Sequence, residues 1–367
     1  MQNAQRGFSL VEMMVGMTVG MIVLLAALLN YSSFEKQKRT TANISDAQIN
    51  GLIAIHALQS ETRMAGLGLS TPAGLACSQM NWYYNGQTGT SPIAPVIITD
   101  GGVSNSDSIT FTYSDSPNAG SPSMLTSNAP NSDALITVKS VNSTSFLINH
   151  DIMLLASPSS RLGATIPCTR IAFVDKTINT PPPGTLALLN PPLGQNIFPV
   201  GGYNGYADYS LNMGNFVQRK YSVLNGNLLM TDMSIPGNPL QQLSSGIVSI
   251  RAQYGLSPLN VTPGTPAAPI SCWTSATGGG CQPSSGDWAH PDSADISRIK
   301  AVRMAVISRS ALMEKPGKNG CQTTATAPIT WPGGPQIDLS ADPNWQCYRY
   351  RVYQTITAMR NVIWSNM

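Results

Sequence analysis

Charge, histidine and catalytic signatures are scarce in this sequence. Charged residues make up 11% of the 367 residues, against about 25% in an average globular protein. The only histidines are His56, His150 and His290, and no HExxH, GxSxG or GxxxxGK[ST] occurs. Zinc proteolysis, hydrolase-elbow chemistry and P-loop phosphate binding therefore lack the residues they need. Gly66-Leu67-Gly68 follows a helical stretch and not a strand, so it reads as a helix terminator and not a dinucleotide fingerprint. His56 reads as a helix-surface residue. The run Asp100–Asp107 is only loosely calcium-loop-like: its twelfth position is Phe111, where an EF-hand carries Glu, so it reads as a turn. No CxxC pair occurs, which speaks against zinc. The expectation is a protein with no enzymatic activity, no cofactor and no metal site. A net charge of +3 is too small to mark a nucleic-acid binder, and a mean hydropathy of −0.02 excludes a polytopic membrane protein. Low charge with abundant Ser, Thr, Asn and Gly suits an exported protein. The 42% hydrophobic content is enough for a sizeable core, and the length allows about two domains, or one with large insertions.

The N-terminus is the informative segment. Phe8–Leu29 reads FSLVEMMVGMTVGMIVLLAALL, with Glu12 as its one charge. As a helix it spans about 33 Å, enough to cross a hydrocarbon core of about 30 Å. It exceeds the roughly 7–15 apolar residues of a secretory signal, so length alone suggests an uncleaved anchor. Glu12 complicates that reading. A carboxylate in a membrane costs several kcal/mol and needs a partner. A free amine at Phe8 would lie about one helical turn away, on the same chain or on a staggered neighbour. Gly16 and Gly20 form a GxxxG spacing that can let helices pack closely.

The segment GFSLVE, after the short leader MQNAQR, resembles the processing and assembly motif of type IV pilins and type II secretion pseudopilins. The resemblance implies that residues 1–7 are a leader, cut by prepilin peptidase between Gly7 and Phe8. It implies N-methylation of Phe8, and it makes Glu12 the assembly glutamate. Major pilins usually carry a kinking Pro in the apolar run; none occurs here, which leaves the shape of the helix open. Within the family, the chain is similar to the PilW family of minor pilins, themselves similar to J-type minor pseudopilins. The matching segments are GFSLVEMMVGMTVGMIVLL, NGLIAIHALQSETRMAGLG, DSITFTY, GIVSIRAQYG, IKAVRMAVISRS and RVYQTITAMRN. The implied role is a minor pilin in the tip complex that primes pilus assembly. The implied partners are other minor and major pilins, prepilin peptidase, the inner-membrane assembly platform, and the membrane before assembly. The implied location is the inner membrane, single-pass with a periplasmic C-terminal domain, and then the surface pilus. A secretion-system pseudopilin is the alternative, as is a tip adhesin or DNA-uptake subunit. No residue pattern supports a nucleic-acid or host-surface ligand.

Beyond Leu29, Tyr31, Phe34, Ile44, Ala47, Leu52, Ile55 and Leu58 recur near helical spacing. This predicts an amphipathic continuation over 30–68, ended by Gly66 and Gly68; a break at Asn30–Ser33 would instead give two helices. From residue 69 to 367 the pattern is β-rich. Strands are predicted at Asp107–Tyr113, Leu135–Lys139, Arg219–Leu224, Gly246–Tyr254, Arg298–Ser308 and Tyr348–Thr357, with long loops at 255–292 and 314–345. The fold class is therefore α+β and pilin-like, with a long N-terminal helix packed on an antiparallel β-sheet domain with disulfide-tied loops. The six cysteines, Cys77, Cys168, Cys272, Cys281, Cys321 and Cys347, allow fifteen pairings. Loop lengths favour Cys272–Cys281 across a Gly-rich segment and Cys321–Cys347 across a Pro-rich one, which leaves Cys77–Cys168. Lys36, Lys38 and Arg39 after the apolar run would put the C-terminal side in the cytoplasm by the positive-inside rule. An even cysteine count favours an oxidising compartment, and with the leader motif it outweighs the charge count.

Overall fold

The computed structural model describes residues 9–364, apart from 72–73, 76, 78, 85–86, 117–118, 120–121, 125–134, 138–151, 157–167, 172–184, 188–208, 215, 235–238, 259–268, 279–280, 284–286 and 317–319. Helix α1 (Leu10–Met64) is a single element of 55 residues, about 80 Å long. The polar stretch after Leu29 does not interrupt it. There the Asn30 side chain donates to the Ala26 carbonyl at 3.0 Å, and the Ser32 hydroxyl to the Leu29 carbonyl at 2.9 Å. Both groups are satisfied on the helix itself, so neither competes with its backbone ladder.

The strands follow in chain order. β1 (Ser70–Thr71) and β2 (Gly74–Leu75) form a short hairpin after the helix. β3 (Gln79–Tyr84) pairs with β4 (Gln87–Pro92), and β5 (Val96–Thr99) with β6 (Ser108–Tyr113). Six strands follow: β7 (Ser123–Met124), β8 (Leu135–Thr137), β9 (Ile152–Ala156), β10 (Cys168–Ile171), β11 (Thr185–Ala187) and β12 (Tyr209–Gly214). β13 (Val217–Leu224), β14 (Asn227–Asp232) and β15 (Gln241–Ser245) make an antiparallel meander. The last strands are β16 (Ile247–Leu256), β17 (Cys272–Thr274), β18 (Ile299–Arg309) and β19 (Tyr350–Ala358). Helix α2 (Ser293–Arg298) precedes β18, and α3 (Arg360–Trp364) follows β19.

Two antiparallel sheets carry the core, ordered β15-β14-β13-β6-β5 and β17-β16-β18-β19. A third, β4-β3-β10-β9-β12-β7, contains one parallel pair, β3 with β10. Parallel pairing was not expected from the sequence, because it joins strands far apart in the chain. The sharp β13–β14 turn is Asn225-Gly226, both at positive φ (51° and 73°), the pairing a two-residue hairpin prefers.

Helix α1 lies on β18 and β19, and its buried face carries small residues at the closest approach. Ala47, Gly51, Ala54 and Leu58 are buried at spacings of three and four. Of the apolar residues that suggested an amphipathic face, Ala47 and Leu58 are buried, whereas Tyr31, Phe34 and Leu52 are exposed. Close approach explains the difference. The Ser308 hydroxyl of β18 donates to the Ala47 carbonyl at 2.9 Å, and the ring of Tyr353 lies where a Cβ on Gly51 would project. A bulky residue cannot occupy position 51. Beneath it, one core joins Ala54 and Leu58 to Ile98 and Phe111 of one sheet and to Ile250, Tyr254, Met304 and Val306 of the other.

The helix ends through backbone exchange. Gly66, at φ +85°, donates its N–H to the Thr112 carbonyl at 2.9 Å, and Ser114 N–H donates to Leu67 at 2.8 Å. The Asn361 side chain of α3 donates to the carbonyls of Met64 (3.1 Å) and Ala65 (3.2 Å). These are the acceptors that a helix terminus leaves without intrahelical partners.

Gly51→Ala should lower stability by about 1–3 kcal/mol, through overpacking against Tyr353 and Ser308. Leu52→Ala, one position on but exposed, should stay within about 0.5 kcal/mol of the parent. Urea unfolding of the full chain in detergent checks both. Equal effects would disprove the close-approach account.

Candidate functional site

The start of α1 is built as a capping box. Ser9 adopts extended backbone (φ −69°, ψ 143°), and its hydroxyl accepts from Val11 N–H at 3.3 Å. The Glu12 carboxylate accepts the Ser9 N–H at 3.0 Å. Such reciprocal bonds satisfy donors that a helix N-terminus leaves open, and the helix dipole favours a negative charge there. A Ser-x-x-Glu spacing before an apolar run was the available sequence signal for this cap. Gly7 and Phe8 lie outside the described residues. From Leu10 to Leu29 the side chains are exposed, and nothing packs near Gly16 or Gly20. Among the described residues, α1 is the helix long and apolar enough to cross a membrane.

A second polar centre pins the far end of the same helix, and sequence reasoning missed it. Glu61 is 7% exposed. Its carboxylate accepts from Arg219 Nη1 at 2.8 Å and from the Tyr221 hydroxyl at 2.9 Å. Arg219 Nη1 also donates to the Tyr113 hydroxyl at 3.2 Å. Arg219 and Tyr221 are two apart on β13, and so share one face of the strand. Burial, and then the negative charge of Glu61, push the phenols of Tyr113 and Tyr221 well above their usual range. Only the fold brings Glu61 to residues some 160 positions away.

Two cysteine-bearing loops are tied over the β17-β16-β18-β19 sheet. Cys272 is bonded to Cys281 (Cα–Cα 6.0 Å) and Cys321 to Cys347 (4.8 Å). Cys77 is disulfide-bonded as well. The side chain of Cys168, its expected partner, lies outside the described residues, while the backbone pairs Cys168 with Met80, three residues past Cys77. Each of the two described disulfide loops supplies one tryptophan to the same cation. The Arg303 guanidinium of β18 stands 4.9 Å from the Trp273 ring and 4.4 Å from the Trp331 ring. Its Nε donates to Gln253 Oε1 at 2.9 Å. Opposite Trp273 in the ladder is Gly255, which leaves room for the indole.

A cleft of about 260 Å³ lies beside Trp331, bounded by Asp100, Gln253, Thr277, Pro335 and Gln336. The Asp100–Asp107 segment is a turn. Asp100 Oδ1 accepts from Gly102 N–H at 2.8 Å, and its Oδ2 from the Thr277 hydroxyl. Asp107 accepts from Gly101 N–H (3.0 Å), Ala252 N–H (2.8 Å) and Arg251 (3.0 Å). No cluster of three or more His, Cys, Asp or Glu suited to a metal occurs among the described residues. His56 is exposed on α1, and His290 pairs with Asp287 at 3.3 Å on the surface. His150 lies outside the described residues.

The comparisons with known proteins bear on the N-terminus. A family model described as the prokaryotic N-terminal methylation motif matches residues 2–28. The motif lies on the apolar start of the long helix α1. Among solved structures, the chain is similar to a type IV-like pilin from Thermus thermophilus. The identity is 12%, over 59% of this chain and 87% of that one, with a TM-score of 0.23. The search of curated proteins finds no match.

Among the described residues, burial raises five phenols: Tyr113, Tyr221 and Tyr254 strongly, Tyr350 to about 12, and Tyr353. Unfolded tyrosines ionise near pH 10. The folded chain therefore holds these protons more tightly than the unfolded chain. The stabilisation is complete below pH 10 and is lost as pH rises from 10 towards 12 and beyond. Phenolate absorbance should rise in two phases, the second coinciding with loss of near-ultraviolet circular dichroism. A single phase near pH 10 with the fold intact would contradict the buried environments.

Proposed function

We propose that this chain is a minor pilin of a type IV pilus. In this reading the leader is removed after Gly7, Phe8 becomes the N-methylated first residue, and α1 then carries the protein into the filament. The observation that carries the reading is the methylation motif over residues 2–28, joined to a helix start whose apolar side chains are all exposed. Sixteen exposed apolar side chains between Leu10 and Leu29 are unfavourable in water. They need a membrane before assembly and other helices after it.

Glu12 is the one charge in that run. Within the chain its carboxylate meets the Ser9 N–H, and after cleavage the new amine at Phe8 would be the residue next to Ser9. A neighbouring subunit's amine could replace it in a staggered stack. The extended segment similarity supports the PilW-like, tip-complex version of this role, with other pilins, prepilin peptidase and the inner-membrane assembly platform as partners. The C-terminal domain would stand in the periplasm, where the disulfides can form, and later on the pilus. A minor pseudopilin of type II secretion would use the same chemistry at Phe8 and Glu12; loss of pili or loss of secretion in a deletion strain separates the two. A tip adhesin or DNA-uptake role would fall to the loops around Arg303, and binding of the folded protein to cells or DNA would test it.

Peptide mass spectrometry of assembled protein should find N-methylated Phe8 first and no leader. An intact MQNAQRG would refute the processing. Glu12→Ala should be processed and membrane-bound but reach sheared pili at a reduced level, because the carboxylate that an incoming amine would meet is gone. Wild-type recovery of Glu12→Ala in pili would rule out the assembly role.

A further inference from the structure

We infer that residues 30–39 form a headgroup collar, which holds α1 at a fixed depth by binding anionic phospholipid on the leaflet nearer the β-domain. This rests on the reading above that the apolar run lies in a membrane before assembly. Leu10–Leu29 is continuous exposed helix, about 30 Å long, which matches the hydrocarbon core. The headgroup layer adds about 5–7 Å per side, crossed by the next four or five residues. These are Asn30 to Phe34, and Tyr31 and Phe34 in that layer are 69% and 71% exposed, one turn apart on one face. Interfacial aromatics are how membrane helices fix their depth.

The basic residues follow at once. Lys36, Lys38 and Arg39 stand about 10–15 Å beyond Leu29 along the axis. Glu35 is the acid among them, which leaves two net positive charges. Lys38 and Glu35 are exposed on the helix. Every Cα–Cβ bond of a helix tilts toward its N-terminus, and here that is the membrane side. Long basic side chains on such a helix reach back to an interface. Among the residues whose side chains are described, the first strongly buried one of α1 is Asn43, about 20 Å past Leu29. The bonds from Asn30 to Ala26 and from Ser32 to Leu29 keep the helix unbroken across the boundary, so the spacing from apolar run to cations is rigid. The collar also accounts for cations on the side that the positive-inside rule disfavours.

Each net charge near an anionic surface is worth about fivefold in affinity, so two give an enrichment of about twenty-fivefold. The test uses the full chain in nanodiscs of equimolar phosphatidylglycerol and phosphatidylcholine, extracted into mild detergent, with retained lipids counted by native mass spectrometry. The parent should retain phosphatidylglycerol in preference by on the order of twentyfold. The triple variant Lys36→Gln/Lys38→Gln/Arg39→Gln should lose the preference while keeping the parent's urea midpoint. Equal retention of both lipids by an inserted parent, or a preference that survives the triple change, would remove the collar alone. Dimers that the triple variant abolishes, without any lipid preference, would assign the cations to a second copy and overturn the lipid assignment. A chain that never enters the bilayer would remove the membrane reading and the collar with it.

Discussion

The close approach of α1 to β18 and β19 is the contact on which the rest of the β-domain depends. A strand hydroxyl, Ser308, reaches a helix carbonyl, Ala47, at 2.9 Å. That distance is possible only because the facing positions are Ala47, Gly51 and Ala54. A helix this near the sheet shares its core with both antiparallel sheets, since Ala54 and Leu58 sit among residues from each. It also brings Glu61 within 2.8 Å of Arg219, fixing the rotation and depth of the helix end. The buried Glu61 carboxylate is tolerable because an arginine and a phenol both donate to it; an unpaired buried charge would cost several kcal/mol.

One helix therefore carries two opposite designs. Its second half meets the sheets through Ala47, Gly51, Ala54 and Leu58 and turns mostly polar residues outward, along with Ile49, Leu52 and Ile53. Its first half is apolar all round and meets nothing within the chain. A helix hydrophobic on every side is stable only in a membrane or among other helices. The methylation motif lies on that half, and the capping box at Ser9 and Glu12 gives it a defined start. The motif thus falls on the part of the helix that the β-domain leaves free, and the packing of the domain involves the other part.

The loop surface over the β17-β16-β18-β19 sheet is held by different means. Its loops are too long and too rich in Gly and Pro to order themselves. Disulfides at Cys272–Cys281 and Cys321–Cys347 close them, and Arg303 joins them by standing between Trp273 and Trp331. Contacts of this kind are worth about 0.5–2 kcal/mol each, enough to make the two loops one surface. Asp107 and Arg251 anchor the neighbouring turn from below.

Local pattern in the sequence sufficed for the apolar helix and for the existence of the main strands. Period-2 runs such as SITFTY and GIVSIRAQY become β6 and β16 because alternation is a property of neighbouring residues. The N-terminal motif was equally legible, because its chemistry lies within six consecutive positions. The buried face of α1 was not. Apolar spacing pointed to Leu52, but where the sheet comes closest the helix presents Ala47, Gly51 and Ala54, and Leu52 turns outward. Glu61 with Arg219 and Tyr221, the cation shared by two loops, and the parallel pairing of β3 with β10 likewise join residues tens to hundreds of positions apart. Such partners are chosen by how the layers stack, and no local pattern encodes that choice.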